Sequence, residues 1–230
     1  MLNSPIYDLT PMTMLDYPDE LACIVWFSGC NMRCPYCYNP HIVESSGDYS
    51  LETFYNFLDK RKGLLDGVVF SGGECTSSPK IFDIATEVKK KGYKIKVDTN
   101  GSNPEVIKEL VEKDLVDYIA LDYKSPDYKI EALTGRGISI FKRFILTLDF
   151  LISQSKISFE VRTTVHHHLL NEDDVNYIIL DLYNRGYNNI YYIQKSLDDV
   201  EMISKLPKQK GWLDLEKLSK KIPIEIRTIS

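Results

Sequence analysis

Apolar positions along the chain follow two alternating periods. Leu21 to Ser28 is a nearly unbroken apolar run, as expected of a strand covered on both faces. Leu51, Phe54, Tyr55 and Leu58 then share one side of a helix that Ser50 would cap. The alternation continues: a strand over 67–71, then a helix opened by Ser78 and Pro79, striped with Ile81, Ile84, Ala85 and Val88 and closed by Gly92. A strand over 93–97 precedes a helix opened by Asn103 and Pro104 and striped with Val106, Ile107, Leu110 and Val111. A strand over 116–121 precedes the strongly amphipathic stretch 141–153. The strand over 157–165 leads to a helix marked by Val175, Ile178, Ile179 and Leu182 and ended by Gly186. A strand over 189–193, a helix over 213–221 and a final strand over 224–228 complete the pattern.

Six strand–helix units in series predict a parallel α/β sheet. A complete eightfold barrel typically takes ~250 residues, so six units in 230 residues predict a partial (β/α)6, TIM-like barrel. No composition break divides the chain. The expectation is one domain over residues 1–230, with a core at about 20–196 and a C-terminal extension over 197–230 that begins with an irregular loop, 197–211.

Composition narrows the function. Hydrophobic residues make up 43% and charged residues 27%, and the net charge is −5. A duplex-binding surface would need a basic excess, so no nucleic-acid partner is expected. The locally basic 89–96 stretch reads as a solvated helix end. No apolar run near the N-terminus approaches a membrane span or a leader, so the expected location is cytoplasmic. The cysteines number five, an odd count, and Cys30, Cys34 and Cys37 crowd into eight residues. That arrangement suits metal or redox chemistry rather than a disulfide scaffold.

In parallel α/β folds, working groups gather at the carboxyl ends of the strands. Here those ends read Ser28-Gly29-Cys30, Ser71-Gly72-Gly73-Glu74, Asp98-Thr99-Asn100, Asp122-Tyr123-Lys124, Arg162-Thr163-Thr164 and Gln194-Lys195. Apolar strand bodies that end in polar groups predict one functional face. Three thiolates on a short loop can hold three irons of a cubane cluster and leave the fourth open. A structural zinc site with His41 as fourth ligand is the competing reading.

The Cys30-x3-Cys34-x2-Cys37 spacing, with aromatic Tyr36 before the third cysteine, resembles the cluster loop of the radical S-adenosylmethionine (SAM) superfamily. Gly72-Gly73-Glu74 resembles that superfamily's glycine–glycine–glutamate motif, which lies against the methionine amino group. The stretches 13–18, 21–40, 63–69, 98–104, 116–118 and 162–165 resemble activating proteins of anaerobic ribonucleotide reductase, a branch of the glycyl radical enzyme activases. The resemblance implies one [4Fe–4S] cluster on Cys30, Cys34 and Cys37, and SAM contacts from Tyr36, Gly72, Gly73, Glu74, Asp98, Thr99, Asp122, Lys124 and Arg162. Asp98 and Asp122 match positions that bind a monovalent cation in some relatives. Without a family, the same residues read as a turn (Asp98, Asn100) and as ion-pair members (Lys124, Arg162). Cys75 stands where many relatives have proline and reads as packed, and Cys23 reads as core. His166, His167 and His168 read as an exposed loop.

The implied activity is reductive cleavage of SAM and hydrogen abstraction from a glycine of a partner, the anaerobic ribonucleotide reductase or another glycyl radical enzyme. The 197–211 loop would help receive that partner. A flavodoxin or ferredoxin would supply the electron. The alternatives are a small-molecule enzyme like the 7-carboxy-7-deazaguanine synthases, and a non-enzymatic zinc or iron–sulfur binding module.

Overall fold

The computed structural model describes residues 4–228. Its elements run β1 (Ile6–Thr13), β2 (Ala22–Phe27), α1 (Pro40–Glu44), α2 (Leu51–Lys60), β3 (Gly67–Gly72), α3 (Ile81–Lys90), β4 (Lys94–Thr99), α4 (Pro104–Glu112), β5 (Tyr118–Asp122), α5 (Ile130–Thr134), α6 (Ile138–Ser153), β6 (Ser158–Val165), α7 (Glu172–Asn184), β7 (Tyr191–Lys195) and β8 (Ile224–Thr228). The strands form one eight-stranded sheet in sequence order. β2 through β8 are parallel, and β1 joins β2 antiparallel.

Local chemistry explains the helix starts. The Ser50 side chain accepts from Thr53 N at 3.0 Å to cap α2, and Pro104 occupies the first turn of α4, where no backbone donor is needed. In α7, Asn171 and Asp174 form a reciprocal capping box. α3 begins at Ile81, two residues beyond the expected Pro79, after Lys80 takes the cap position.

Two differences from the expected pattern stand out. The β1 strand was not anticipated. It mixes polar and apolar residues without a firm alternation, carries Pro11 and lies at a sheet edge, so it has no clear strand signal. The sheet therefore reaches beyond residues 20–196 at both ends. The expected helix over 213–221 is absent: only Leu215–Lys217 forms a short 3-10 turn. Its apolar residues Leu213, Leu218 and Ile222 are buried as anchors. Asn176 of α7 captures the backbone there, donating to Lys217 O at 2.9 Å and accepting from Ser219 N at 2.6 Å. β7 and β8 are thus joined by a long connection without an α-helix.

The sheet curls. Seven parallel strands laid flat would span roughly 29 Å at their usual spacing. Yet Trp26 of β2 and Arg227 of β8 line the same cavity of about 620 Å³. The outer face, with Val25, Phe70, Val97, Leu121, Val161 and Ile193, packs under the helices as the main core. Inside the curl a smaller apolar cluster, Tyr17, Ala22, Ile24 and Val69, packs with Trp26 and Tyr118. The Tyr17 and Tyr118 rings meet at a tilt, 6.1 Å between centroids. Among the described residues no helix is long and apolar enough to cross a membrane.

Candidate functional site

The residues between β2 and α1 form an irregular loop that carries the three clustered cysteines. Its backbone is tied on several sides. Gly29 N and Cys30 N donate to Ile42 O and Val43 O at 2.8 and 3.1 Å, and Arg33 N donates to Thr134 O at 2.7 Å. Asn31 joins it to the end of β4, donating to Ser102 Oγ at 2.7 Å and accepting from Asn100 Nδ2 at 2.9 Å. From the far end of the chain, Ile203 N and Ser204 N donate to Cys37 O and Pro35 O at 3.1 and 3.0 Å. The 197–211 segment, expected as a receiving loop, thus lies against the cysteine loop.

Cys30, Cys34 and Cys37 are free thiols. Burial pushes the Cys30 thiol up to about 12 and the Cys34 thiol up to about 11. Such thiols keep their protons until a metal supplies the compensating charge, so loading would release protons. Among the described residues no three His, Cys, Asp or Glu side chains converge on one metal-sized point. His41, the fourth ligand of the zinc reading, faces Glu201 instead, with Nε2 3.2 Å from the carboxylate.

The Gly72-Gly73-Glu74 turn leaves β3 against this loop. Gly72 has φ +112°, and a Cβ there would sit 2.4 Å from Phe27 N and O. A Cβ on Gly73 would sit 1.9 Å from Gly29 O. The glycines let two strand ends approach, and Gly73 N and Glu74 N donate to Phe27 O and Gly29 O, each at 2.9 Å. The Glu74 carboxylate is 1% exposed and already well supplied with donors. Oε1 accepts from Thr76 N at 3.1 Å, from Thr99 Oγ1 at 2.7 Å and from the Thr76 hydroxyl. Oε2 accepts from Asn100 N at 2.8 Å. Burial raises its pKa, and these donors oppose the rise. In this geometry Glu74 and Thr99 fasten the ends of β3 and β4 to each other. Buried Cys75 donates its thiol to Asp98 O at 3.4 Å, which fits its reading as a packed side chain.

Across the cavity, ion pairs from β4, β5 and β6 form a row in which cations and carboxylates alternate. Lys96 Nζ is 2.5 Å from Asp98 Oδ1, and Arg162 Nη2 is 3.3 Å from Asp98 Oδ2. Arg162 Nε is 2.5 Å from Asp122 Oδ1, and Lys124 Nζ is 2.8 Å from Asp122 Oδ2. Burial would raise the Asp122 pKa, but Arg162 and Lys124 outweigh it and hold the carboxyl at about 2. Arg162 and Lys96 likewise hold Asp98 below its usual value against burial. In this row of ion pairs three cations face two carboxylates. Deeper in, Glu160 accepts from Arg227 at 2.9 Å and from Tyr118 at 3.1 Å, and Arg227 lies 3.3 Å above the Tyr192 ring.

All twelve expected site residues line this one cavity: Cys30, Cys34, Tyr36, Cys37, Gly72, Gly73, Glu74, Asp98, Thr99, Asp122, Lys124 and Arg162. Lys96, Glu160, Gln194 and Arg227 line it too. Of these, Glu160 and Arg227 escaped sequence reasoning, and Lys96, read with 89–96 as solvated, is instead buried because it lies on the inner face of β4 beside Asp98. Their signal was the two-residue alternation that puts Lys96 with Asp98, and Glu160 with Arg162, on the inner face. Of the three histidines expected as an exposed loop, His168 is exposed and His167 half-buried, but the expectation fails at His166. His166 is buried, and His167 N donates to Gln209 Oε1 at 2.9 Å, packing this stretch against the 197–211 segment.

A cavity of this size and donor set suits a drug-sized ligand carrying a carboxylate. The characteristic pattern of the radical SAM superfamily matches residues 24–192. The chain is 31% identical over 241 residues to a Methanocaldococcus jannaschii protein that bears the provisional name of glycyl-radical enzyme activating enzyme. That match covers 100% of this chain and 98% of the relative. A pyruvate formate-lyase-activating enzyme of Clostridium pasteurianum is 32% identical over 111 residues, 44% of this chain and 45% of its own. Among solved structures, Streptococcus suis SuiB superposes with a TM-score of 0.67 at 12% identity. It covers 88% of this chain, which spans 47% of SuiB, and the likeness speaks for the fold alone.

Proposed function

The chain belongs to the radical SAM superfamily, and on that premise we propose that it is an activase that generates a glycyl radical on a partner enzyme. The superfamily's cofactors are a [4Fe–4S] cluster and SAM. Cys30, Cys34 and Cys37 would hold the cluster, one in number, since Cys23 and Cys75 are buried in the core. Together the cofactors supply a 5′-deoxyadenosyl radical for hydrogen abstraction. The residues fit: three unpaired thiols on one loop face a cavity whose strand ends present Lys96, Lys124 and Arg162 beside the carboxylates of Asp98 and Asp122.

The protein's own work is binding and orientation. Lys124, Arg162 and Lys96 would favour the methionine carboxylate, and the backbone of Gly72 and Gly73 would face its amino group. Glu74 and Thr99 keep that backbone in place. Asp98 and Asp122 already have cationic partners, so we assign them to orienting Lys96, Arg162 and Lys124 rather than to holding a monovalent cation. The single observation that carries the activase reading is the similarity to the M. jannaschii relative along the whole chain. The stretches resembling ribonucleotide reductase activating proteins make the anaerobic reductase the preferred partner, with flavodoxin or ferredoxin as reductant.

The test uses protein purified without oxygen, loaded with iron and sulfide, reduced and given SAM. 5′-Deoxyadenosine should form, and the reductase should gain a glycyl radical signal. Cys34→Ala should bind no cluster and form neither. Cluster-loaded wild type that makes no 5′-deoxyadenosine would sink the enzyme reading. Cleavage of SAM without a radical on any glycyl radical enzyme would sink the activase reading.

A further inference from the structure

Asn31 stands between Cys30 and Cys34, and it is not among the residues that line the cavity. Its side-chain amide nevertheless uses both ends. Nδ2 donates to Ser102 Oγ at 2.7 Å, and Oδ1 accepts from Asn100 Nδ2 at 2.9 Å. The polarity of this network is set from the far side: Asn100 Oδ1 accepts from Ser102 N at 3.0 Å, so the Asn100 amide presents its donor end to Asn31. Asn100 and Ser102 are both buried. Aspartate at position 31 would lack the donor, and alanine would lack both groups.

The partners of Asn31 also hold the other half of the site. Asn100 N donates to Glu74 Oε2 at 2.8 Å, and Glu74 keeps the Gly72–Gly73 backbone in place. A chain of hydrogen bonds thus runs from Asn31 through Asn100 to Glu74, from the cysteine loop to the glycine turn. The backbone bond from Glu74 N to Gly29 O joins the same two elements, but it lies before the first cysteine. One such point leaves the loop free to pivot, and Asn31 adds a second inside the cysteine-bearing stretch. The other ties there, Arg33 N on Thr134 O and Arg136 Nε on Asn31 O, lead toward α5 and the turn after it rather than to β3 or β4. Among the described residues no other side chain of 28–39 hydrogen-bonds to the end of β4 or the turn that follows it.

We propose that Asn31 is a positioning residue: through Asn100 and Ser102 it fixes the cysteine loop against the Gly72–Glu74 backbone, and so aligns bound SAM with the cluster. Rate falls steeply with misalignment, and a displacement of 1 Å can cost about a hundredfold. Binding suffers less, because Lys124, Arg162 and the glycine backbone remain. The inference rests on the proposed cleavage of SAM and is independent of the partner enzyme.

The test is steady-state 5′-deoxyadenosine formation by the cluster-loaded protein, with amide hydrogen exchange of the metal-free protein beside it. Asn31→Ala should keep its iron and sulfide, lower kcat about tenfold or more, and leave KM for SAM within about twofold. In the metal-free protein its loop amides over 31–37 should exchange about tenfold faster than in wild type, with those of β5 and β6 unchanged. Asn100→Ala keeps its backbone bond to Glu74 and should show the same kinetic split. The double variant should lose no more than the more impaired single variant. An unchanged kcat, unchanged exchange in the loop, or losses that multiply in the double variant would each overturn the proposal. A raised KM at unchanged kcat overturns it as well, and assigns Asn31 to SAM binding. If Asn31→Ala does not retain iron, Ser102→Ala decides: it removes one partner and leaves the loop's own sequence intact, and full kcat there overturns the proposal. Cluster-loaded wild type that forms no 5′-deoxyadenosine would instead refute the enzyme reading on which the inference rests.

Discussion

The outer and inner faces of the sheet come from the same strands, one residue apart. In β4, Ile95 and Val97 point outward into the helical layer, while Lys96 and Asp98 point into the cavity. In β6, Val161 is in the outer core while Glu160 and Arg162 face inward. The outer face is held by non-directional burial and needs only apolar side chains of about the right size. The inner face is held by named partners at short distances and changes character when one is removed. Toward β2 it is still partly apolar, with Ile24 and Val69, and by β4 it is charged. The fold's stability and its chemistry are thus interleaved along each strand at a period of two.

The largest effect that separates the faces belongs to the outer one. Phe70 is fully buried against Phe27, with ring centroids 5.2 Å apart. Phe70→Ala should cost about 3–5 kcal/mol in urea unfolding, while SAM cleavage per folded, cluster-loaded molecule stays near wild type. A loss below about 1 kcal/mol would mean that the helical layer does not anchor the sheet there.

On the inner face, Asp98→Asn leaves Lys96, whose side chain is 3% exposed, without its counter-ion. The expected cost is about 3 kcal/mol, together with weakened SAM binding, because Arg162 also loses a partner. Adding Lys96→Met to Asp98→Asn should return most of the stability and none of the binding. If the second substitution restores nothing, the two side chains are not coupled and the alternating charge chain is not a unit.

These two faces also show what was legible in the sequence. The parallel strands were readable because burial on the outer face and in the inner plug leaves near-continuous apolar runs, as in Leu21–Phe27. The strand-end groups were readable because polar residues interrupt those runs at the carboxyl ends. β1 was not readable, since an edge strand with Pro11 has neither a continuous run nor a firm alternation. The helix expected over 213–221 failed because local apolar spacing cannot register that Asn176, from another element, takes its backbone groups. Glu74 was placed correctly in the cavity, but its partners Thr76, Thr99 and Asn100 come from two strand ends. Only the folded chain shows that they leave it little capacity for an ammonium.

Acid offers the finest probe, because among the strand residues compared only those on the inner face, Asp98, Asp122 and Glu160, are carboxylates. The Asp122 carboxyl is held at about 2, against 3.8 when unfolded. A depressed carboxyl contributes stability that is present in full above the unfolded value and is lost as pH falls through the folded one. The window for Asp122 is therefore about pH 4 down to about pH 2, and the contribution is about 2 kcal/mol. Asp98, depressed in the same direction, adds to the slope. With iron removed from both proteins, the stability gap between wild type and Asp122→Asn should be constant above about pH 4 and shrink below it. Phe70→Ala should keep a constant gap over the same range, since no proton is bound or released at an apolar contact. A gap for Asp122→Asn that stays level down to pH 2 would mean that its partners do not hold the carboxylate in the folded state. The inner face would then be ordered by packing, like the outer one, and the charge chain would be a consequence of the fold rather than one of its supports.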